Sequence, residues 1–224
     1  MKKATLMAVG VMLAGCMGMD NSPSPPEERK NEAMIDAPHI SQLPEFDRGC
    51  EVTSLAMMLQ HAGVKVGKEE LASEVAKVPF EEDGKRGHPN EGFVGNMETF
   101  DEPGIGVFHK PIAELGEKYL PGKIVDLTGQ SFDEVLDHVA DGRPVWVLVT
   151  STFNTVPESE WEVWDTKQGE VKVTYRWHSV LLTGYDENHV YVNDPLDEKN
   201  RKLPKEEFVA GWEQFGNQAI TYLE

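Results

Sequence analysis

Apolar positions along this chain follow two periods. From Cys50, the residues Val52, Leu55, Ala56, Leu59 and Ala62 fall three and four apart, as on a helix that buries one stripe, and Gly63 marks its end. Met57 and Met58 make that helix apolar nearly all round, so it is expected to be central, with its first turn opening onto a cleft. Lys68 to Lys77 repeats the helical pattern through Leu71 and Val75. Pro111 to Leu120 predicts a short helix. Ser131-Phe132-Asp133-Glu134 reads as a capping box that opens a helix with Phe132, Val135, Leu136 and Val139 turned inward. The period then changes. Val145 to Thr150 is a β-branched apolar run, expected as a central strand. Trp161 to Trp164 and Glu170 to Tyr175 flank a hairpin signal at Lys167-Gln168-Gly169, and Trp177 to Tyr185 and Val190 to Val192 flank a second at Asp186-Glu187-Asn188-His189. Glu82 to Gly106 is rich in Gly and polar residues and predicts a long loop. Helices first and antiparallel strands after predict an α+β domain, with the Cys50 helix packed on the sheet.

The N-terminus reads as an address. Lys2 and Lys3 precede a short apolar run from Ala4 to Leu13, too short to span a bilayer as a mature helix. Leu13-Ala14-Gly15-Cys16 resembles a bacterial lipobox, which implies removal of residues 1–15 and a lipid on Cys16. Residues 16–33 hold Ser22-Pro23-Ser24-Pro25-Pro26 and mixed charge, with little to bury, and are expected to be a disordered tether. The folded unit is expected over residues 34–224, one domain in length. This organisation predicts an extracytoplasmic protein whose lipid on Cys16 holds it to the cell membrane.

A formal charge of -18 argues against nucleic acid or anionic lipid as a partner. No two of the seven histidines have compact metal-ligand spacing, and no dinucleotide or P-loop glycine pattern appears, so neither metal nor cofactor is expected. With Cys16 acylated, Cys50 has no disulfide partner in the chain, and outside the cytoplasm an unpaired thiol suggests a task. Cys50 also lies off the apolar stripe, on the face shared by Ser54, Met57 and His61.

Cys50, His178 and Asp194 occur in the order nucleophile, base and orienter. A helix N-terminus and a histidinium would both lower the thiol pKa, and Glu51, in the first turn, is expected to face solvent. Asp194 would accept from the His178 ring and fix its tautomer. Taken alone, His178 reads as a core residue, Asp194-Pro195 as a turn and Gln42 as a surface glutamine. The triad also sets a geometric condition. A four-residue hairpin loop pairs Tyr185 with Val190, which puts Asp194 on the face opposite His178, so the triad requires an odd loop or a one-residue bulge, for which Gly184 is a natural place. The backbone N–H of Cys50 and the amide of Gln42 are the expected oxyanion donors, and Trp177, beside His178, is expected to shield the site.

Gln42-Leu43-Pro44 with Gly49-Cys50-Glu51-Val52-Thr53-Ser54-Leu55 resembles the C39-like peptidase family of the papain-like superfamily. So do His88-Pro89-Asn90-Glu91-Gly92-Phe93-Val94-Gly95, His178-Ser179-Val180 and Tyr191-Val192-Asn193-Asp194-Pro195. The resemblance implies a papain-like fold with Cys50 as nucleophile, His178 as base, Asp194 as orienter and Gln42 as oxyanion donor, and Gly49, Glu51, Asn90 and Trp177 along the cleft. One departure is His88, where the family tends to have an acidic residue. The activity implied is cysteine peptidase chemistry on a peptide or protein substrate through a thioester. The alternatives on the same fold are a transglutaminase-like acyltransferase, a cell-wall peptide hydrolase and a silent peptide-binding domain.

Overall fold

The computed structural model describes residues 29–223. The domain begins before Met34. Arg29 pairs with Asp133 and Asp137, the Lys30 carbonyl accepts from Tyr185 Oη at 2.6 Å, and strand β1 (Ala33–Met34) adds to the main sheet. The expected boundary at residue 34 therefore falls inside a strand, and the last residues assigned to the tether are packed onto the domain. Residues 1–28, with the expected signal and the expected lipid site at Cys16, lie outside the described residues.

Helix α1 (Cys50–His61) follows, buried from Cys50 to Leu59 as its all-round apolar pattern predicts, and α2 (Lys68–Glu74) packs beside it. The expected long loop is instead pinned by short strands: β2 (Lys77–Val78), β3 (Glu81–Glu82), β4 (Lys85–Arg86) and β5 (Phe93–Val94). These pair as β2 with β5 and β3 with β4, so a segment with little apolar periodicity is ordered by backbone pairing. Next come α3 (His109–Tyr119), β6 (Ile124–Asp126), and α4 (Phe132–Ala140) with both halves of its capping box formed by Ser131 and Glu134. Strands β7 (Val145–Thr150), β8 (Trp161–Thr166), β9 (Gly169–Thr174), β10 (Trp177–Tyr185), β11 (His189–Asn193) and β12 (Arg201–Pro204) are followed by α5 (Lys205–Glu213) and β13 (Ala219–Tyr222).

The main sheet runs β12-β11-β10-β7-β13-β6, with β1 also on β10, and every pairing is antiparallel. Every residue of β7 and β10 is buried. Successive strand residues point to opposite faces, so both faces of the sheet centre are covered, with α1, α4 and α5 packed against these strands. Strands β3, β4, β8 and β9 form a separate four-stranded sheet.

The geometric condition on the β10–β11 hairpin is met. Tyr185 pairs with Val190 and Gly184 with Tyr191, but Leu182 pairs with Val192 and Leu181 with Asn193. Thr183 is the extra residue, one place before the glycine expected to carry the bulge. Its hydroxyl donates to the Tyr191 carbonyl at 3.2 Å, and its carbonyl accepts from Ile35 N–H at 2.7 Å, so the bulge keeps its polar groups paired. Continuing the shifted register brings Asp194 opposite Val180, on the face of His178.

Candidate active site

The sheet brings His178 and Asp194 together. His178 Nε2 and Asp194 Oδ1 are hydrogen-bonded at 2.7 Å, with both side chains almost wholly buried. Asp194 Oδ1 also accepts from Leu196 N–H at 3.0 Å, and Oδ2 from Arg201 Nη1 at 2.9 Å. Burial would raise the Asp194 pKa, but the bond to His178, the Leu196 N–H and the Arg201 charge outweigh it and hold the carboxyl below its ordinary value. An ionised Asp194 fixes the His178 tautomer and leaves Nδ1 as the ring nitrogen available for a sulfur.

Cys50 is the first residue of α1 and lines the same cleft, of about 250 Å³, as Gln42, Trp177 and His178. Its surroundings correct an expectation. Glu51 does not face solvent; it is 1 % exposed. Its Oε2 accepts from Cys50 Sγ at 3.2 Å, while Oε1 accepts from Trp177 Nε1 at 2.7 Å and from Val107 N–H at 3.0 Å. The Glu51 carbonyl is also bound, by Trp146 Nε1 at 3.0 Å. Burial and the Glu51 carboxylate push the Cys50 thiol well above its ordinary pKa, and a backbone hydrogen bond with Ser179 only partly offsets them. The expected lowering by the helix terminus and an imidazolium is thus reversed in this resting arrangement. Removing the sulfur from water and placing it beside an anion both favour the neutral thiol.

Gln42 also departs from expectation. It is buried, and its Nε2 lies 3.0 Å from both the Phe46 and Asp47 carbonyls, which takes up both amide hydrogens. Its Oε1 is buried without a partner, so the amide has no free N–H for an oxyanion in this arrangement. Of the four residues expected along the cleft, Trp177 lines it. Gly49 packs against Phe46, whose Cβ would lie 2.5 Å from a Cβ at that position. Glu51 sits buried behind the wall, and Asn90 belongs to the turn where its N–H donates to His88 Nδ1 at 3.0 Å. His88 stands edge-on to Phe108, which stacks on Trp177, so the residue that departs from the family pattern sits two rings back from the cleft.

Three residues that organise the site gave no signal in the sequence. Lys68 is buried and donates from Nζ to the carbonyls of Ser41, Gln42 and Leu43 and to Glu45 Oε2, clamping the segment that carries Gln42. Arg201 pairs with Asp194 and Asp197 and lies over the Phe153 ring. Phe153 stands edge-on to His178, 5.7 Å between ring centres, at a left-handed φ of 52°. That backbone conformation is costly for a bulky residue and persists where packing over-determines it. The Lys68 and Phe153 contacts join segments more than 20 residues apart, and the Arg201 pairs depend on how the chain turns after β11; hydrophobic periodicity registers neither.

Among the described residues no group of three or more His, Cys, Asp or Glu side chains is arranged to hold a metal ion, and no helix is long and apolar enough to cross a membrane. The Peptidase_C39 like family matches this chain over residues 34–220. The Bacillus subtilis (strain 168) protein YvpB, itself uncharacterized, is 45% identical over 179 residues, spanning 80% of this chain and 70% of the relative. A crystal structure from Bacillus anthracis, of a protein provisionally called a C39-like peptidase, is similar with a TM-score of 0.86 at 50% identity. That match covers 87% of this chain and 98% of the other.

Proposed function

Because this chain belongs to the C39-like peptidase family, we propose that it is a cysteine peptidase in which Cys50, His178 and Asp194 act as nucleophile, base and orienter. The observation that carries the reading is the buried 2.7 Å bond between His178 and Asp194 beside a cleft that His178 shares with Cys50. The thiol proton passes to His178 Nδ1 as the sulfur attacks the amide carbonyl. The imidazolium then protonates the departing amine, leaving a thioester on Cys50. Water, deprotonated by His178, hydrolyses the thioester and releases the acid and the free thiol. The Cys50 N–H is one oxyanion donor. Gln42 becomes the second when its amide releases the Phe46 or Asp47 carbonyl to the developing charge.

The cleft also speaks to substrate. Phe100, Tyr175 and Leu196 line it, each more than half exposed. Large apolar side chains left in water around a nucleophile favour a peptide with bulky apolar residues near the scissile bond. The lipid expected on Cys16 would tether the enzyme at the extracytoplasmic face of the membrane, where such peptides would reach it. The test is a peptide library incubated with the chain from Met17 onward, beside Cys50→Ala and His178→Ala. Cleavage next to large apolar residues, lost in both variants, is the expected result. Cleavage that persists in either variant refutes the assignment. Incorporation of an added amine in excess of hydrolysis would move the chain to the acyltransferases, and release of peptides from purified peptidoglycan would name the wall as substrate.

A further inference from the structure

The family reading uses Cys50, His178, Asp194 and Gln42, and leaves the buried Glu51 carboxylate without a task. An ionisable group 1 % exposed carries a large desolvation cost unless its oxygens are fully engaged. Here they are. One oxygen takes N–H donors from two separate segments, the Val107 backbone and the Trp177 indole, and the other takes the nucleophile itself. Gly106 is fitted to this arrangement, since a Cβ there would lie 2.5 Å from Trp177 Nε1 and would also clash with Glu51 Oε1. The contact to sulfur has a definite polarity. A carboxylate accepts and a thiol donates, so the bond exists with the proton on sulfur and opposes its loss.

We propose that Glu51 is a positioning residue that holds Cys50 as a resting thiol and ties it to the cleft wall through Trp177 and Val107, so that attack begins only when the sulfur leaves Glu51 for His178. The inference rests on the reading of Cys50 as nucleophile, and it deepens that reading into a regulated one. The other charged or titratable groups around the sulfur are His178 and Asp194 from the sheet, Asp47 and Arg48 from the segment before α1, and Tyr175 from the turn before β10. The 105–107 segment, packed on Glu51, contributes only backbone and apolar atoms. Glu51 is thus the anion in hydrogen-bond contact with the sulfur, and Asp194, engaged by His178 and Arg201, acts on it more weakly. Burial raises the pKa of the Glu51 carboxyl, and the Val107 and Trp177 N–H donors and the Cys50 thiol only partly offset it, so each of these contacts favours the charged carboxylate.

The experiment uses the full chain in detergent with Cys16→Ser, so that Cys50 is the single thiol. Iodoacetamide alkylation is followed against pH for this protein and for the same protein with Glu51→Gln. Glutamine keeps an oxygen for Trp177 and Val107 and presents an amide N–H to the sulfur. The expected result is alkylation about tenfold or more faster near pH 7 in the glutamine variant, with the midpoint moved to lower pH and the intrinsic tryptophan fluorescence and circular dichroism of the fold retained. An unchanged midpoint, or one moved upward, overturns the proposal. If the variant does not fold, the parent protein still decides. Its infrared S–H stretch at pH 7 is expected to be present and displaced to low frequency by a carboxylate acceptor, and its absence, or a band at the free-thiol position, overturns the proposal. The readouts follow the thiol and need no turnover. A shifted midpoint in a protein that cleaves no peptide would uphold the clasp and sink the peptidase reading, while cleavage without the shift would do the reverse.

Discussion

Gly106→Ala tests whether the wall behind Cys50 is as tightly set as the geometry states. The added methyl would lie 2.5 Å from Trp177 Nε1 and 2.6 Å from Cε2, and inside contact distance of Glu51 Oε1. Neither neighbour is a flexible surface chain. Trp177 is stacked on Phe108 with ring centres 5.0 Å apart and stands edge-on to Phe215, and Glu51 is held at both oxygens. The methyl must therefore separate the indole from the carboxylate. Losing a hydrogen bond to a charged group costs about 1.5–3 kcal/mol, and overpacking a filled site adds about 1–3 kcal/mol. A loss of about 3–5 kcal/mol is expected, which lowers the melting temperature of a domain this size by about 6–20 °C. Thermal unfolding followed by circular dichroism measures it, with urea midpoints at constant slope as a second estimate. A double-mutant cycle adds a sharper demand. With Glu51→Ala already present the carboxylate is gone and the indole has room to move, so the same methyl should cost at least about 1.5 kcal/mol less. A single-variant shift under about 2 °C, or costs that add within about 0.5 kcal/mol, would refute the packing argument.

Asp194→Asn is expected to lower peptide cleavage by about three to four orders of magnitude, through loss of the tautomer control that an ionised partner gives His178, with the peptide-library assay as the check. The same variant tests linkage. The Asp194 pKa is depressed in the folded protein, so its contribution to stability is fully present above the unfolded value of about 3.9 and is lost as pH falls through the lower folded value. Urea unfolding between about pH 5 and pH 2 should therefore show a shallower acid limb in the variant; parallel limbs would contradict it. Lys68→Met keeps the aliphatic stem and leaves the Ser41, Gln42 and Leu43 carbonyls without their donor, at an expected cost of about 2–4 kcal/mol in urea unfolding, and it loosens Gln42, so kcat/KM should fall as well. Stability and turnover both unchanged would remove Lys68 from the site.

Much of the site was legible because it obeys parity and periodicity. Cys50 lies off the apolar stripe of its helix, which told against a plain core cysteine, and the structure puts it on the cleft. Asp194 could share a face with His178 only through one extra residue in the hairpin, and Thr183 is that residue. Counting alternation along two strands settles such a question without coordinates, because a one-residue slip inverts every side chain beyond it. The location of the bulge was off by one for a simple reason. Glycine tolerates a bulge most readily, but here the β1 strand pairs Met34 with Gly184 and the Thr183 hydroxyl finds acceptors, which fixes the irregularity one place earlier.

What periodicity missed is the set of polar contacts behind the cleft-lining side chains, and Glu51 shows why. On a helix of α1's composition a glutamate in the first turn is expected to turn outward, since the intrahelical pattern offers it nothing. Its partners come from 56 and 126 residues away, and only tertiary packing brings them within 3.0 Å. One clue was present. Met57 and Met58 spoil the amphipathic pattern, and a helix apolar nearly all round is covered nearly all round. Such a helix leaves a first-turn carboxylate no direction in which solvent waits, so burial at Glu51 follows from burial of its neighbours. The same enclosure that strips water from the thiol also supplies the anion that keeps its proton in place. On the proposed clasp, the route to a reactive thiolate takes the sulfur from Glu51 to the imidazole, and the His178–Asp194 bond is already in place to receive its proton.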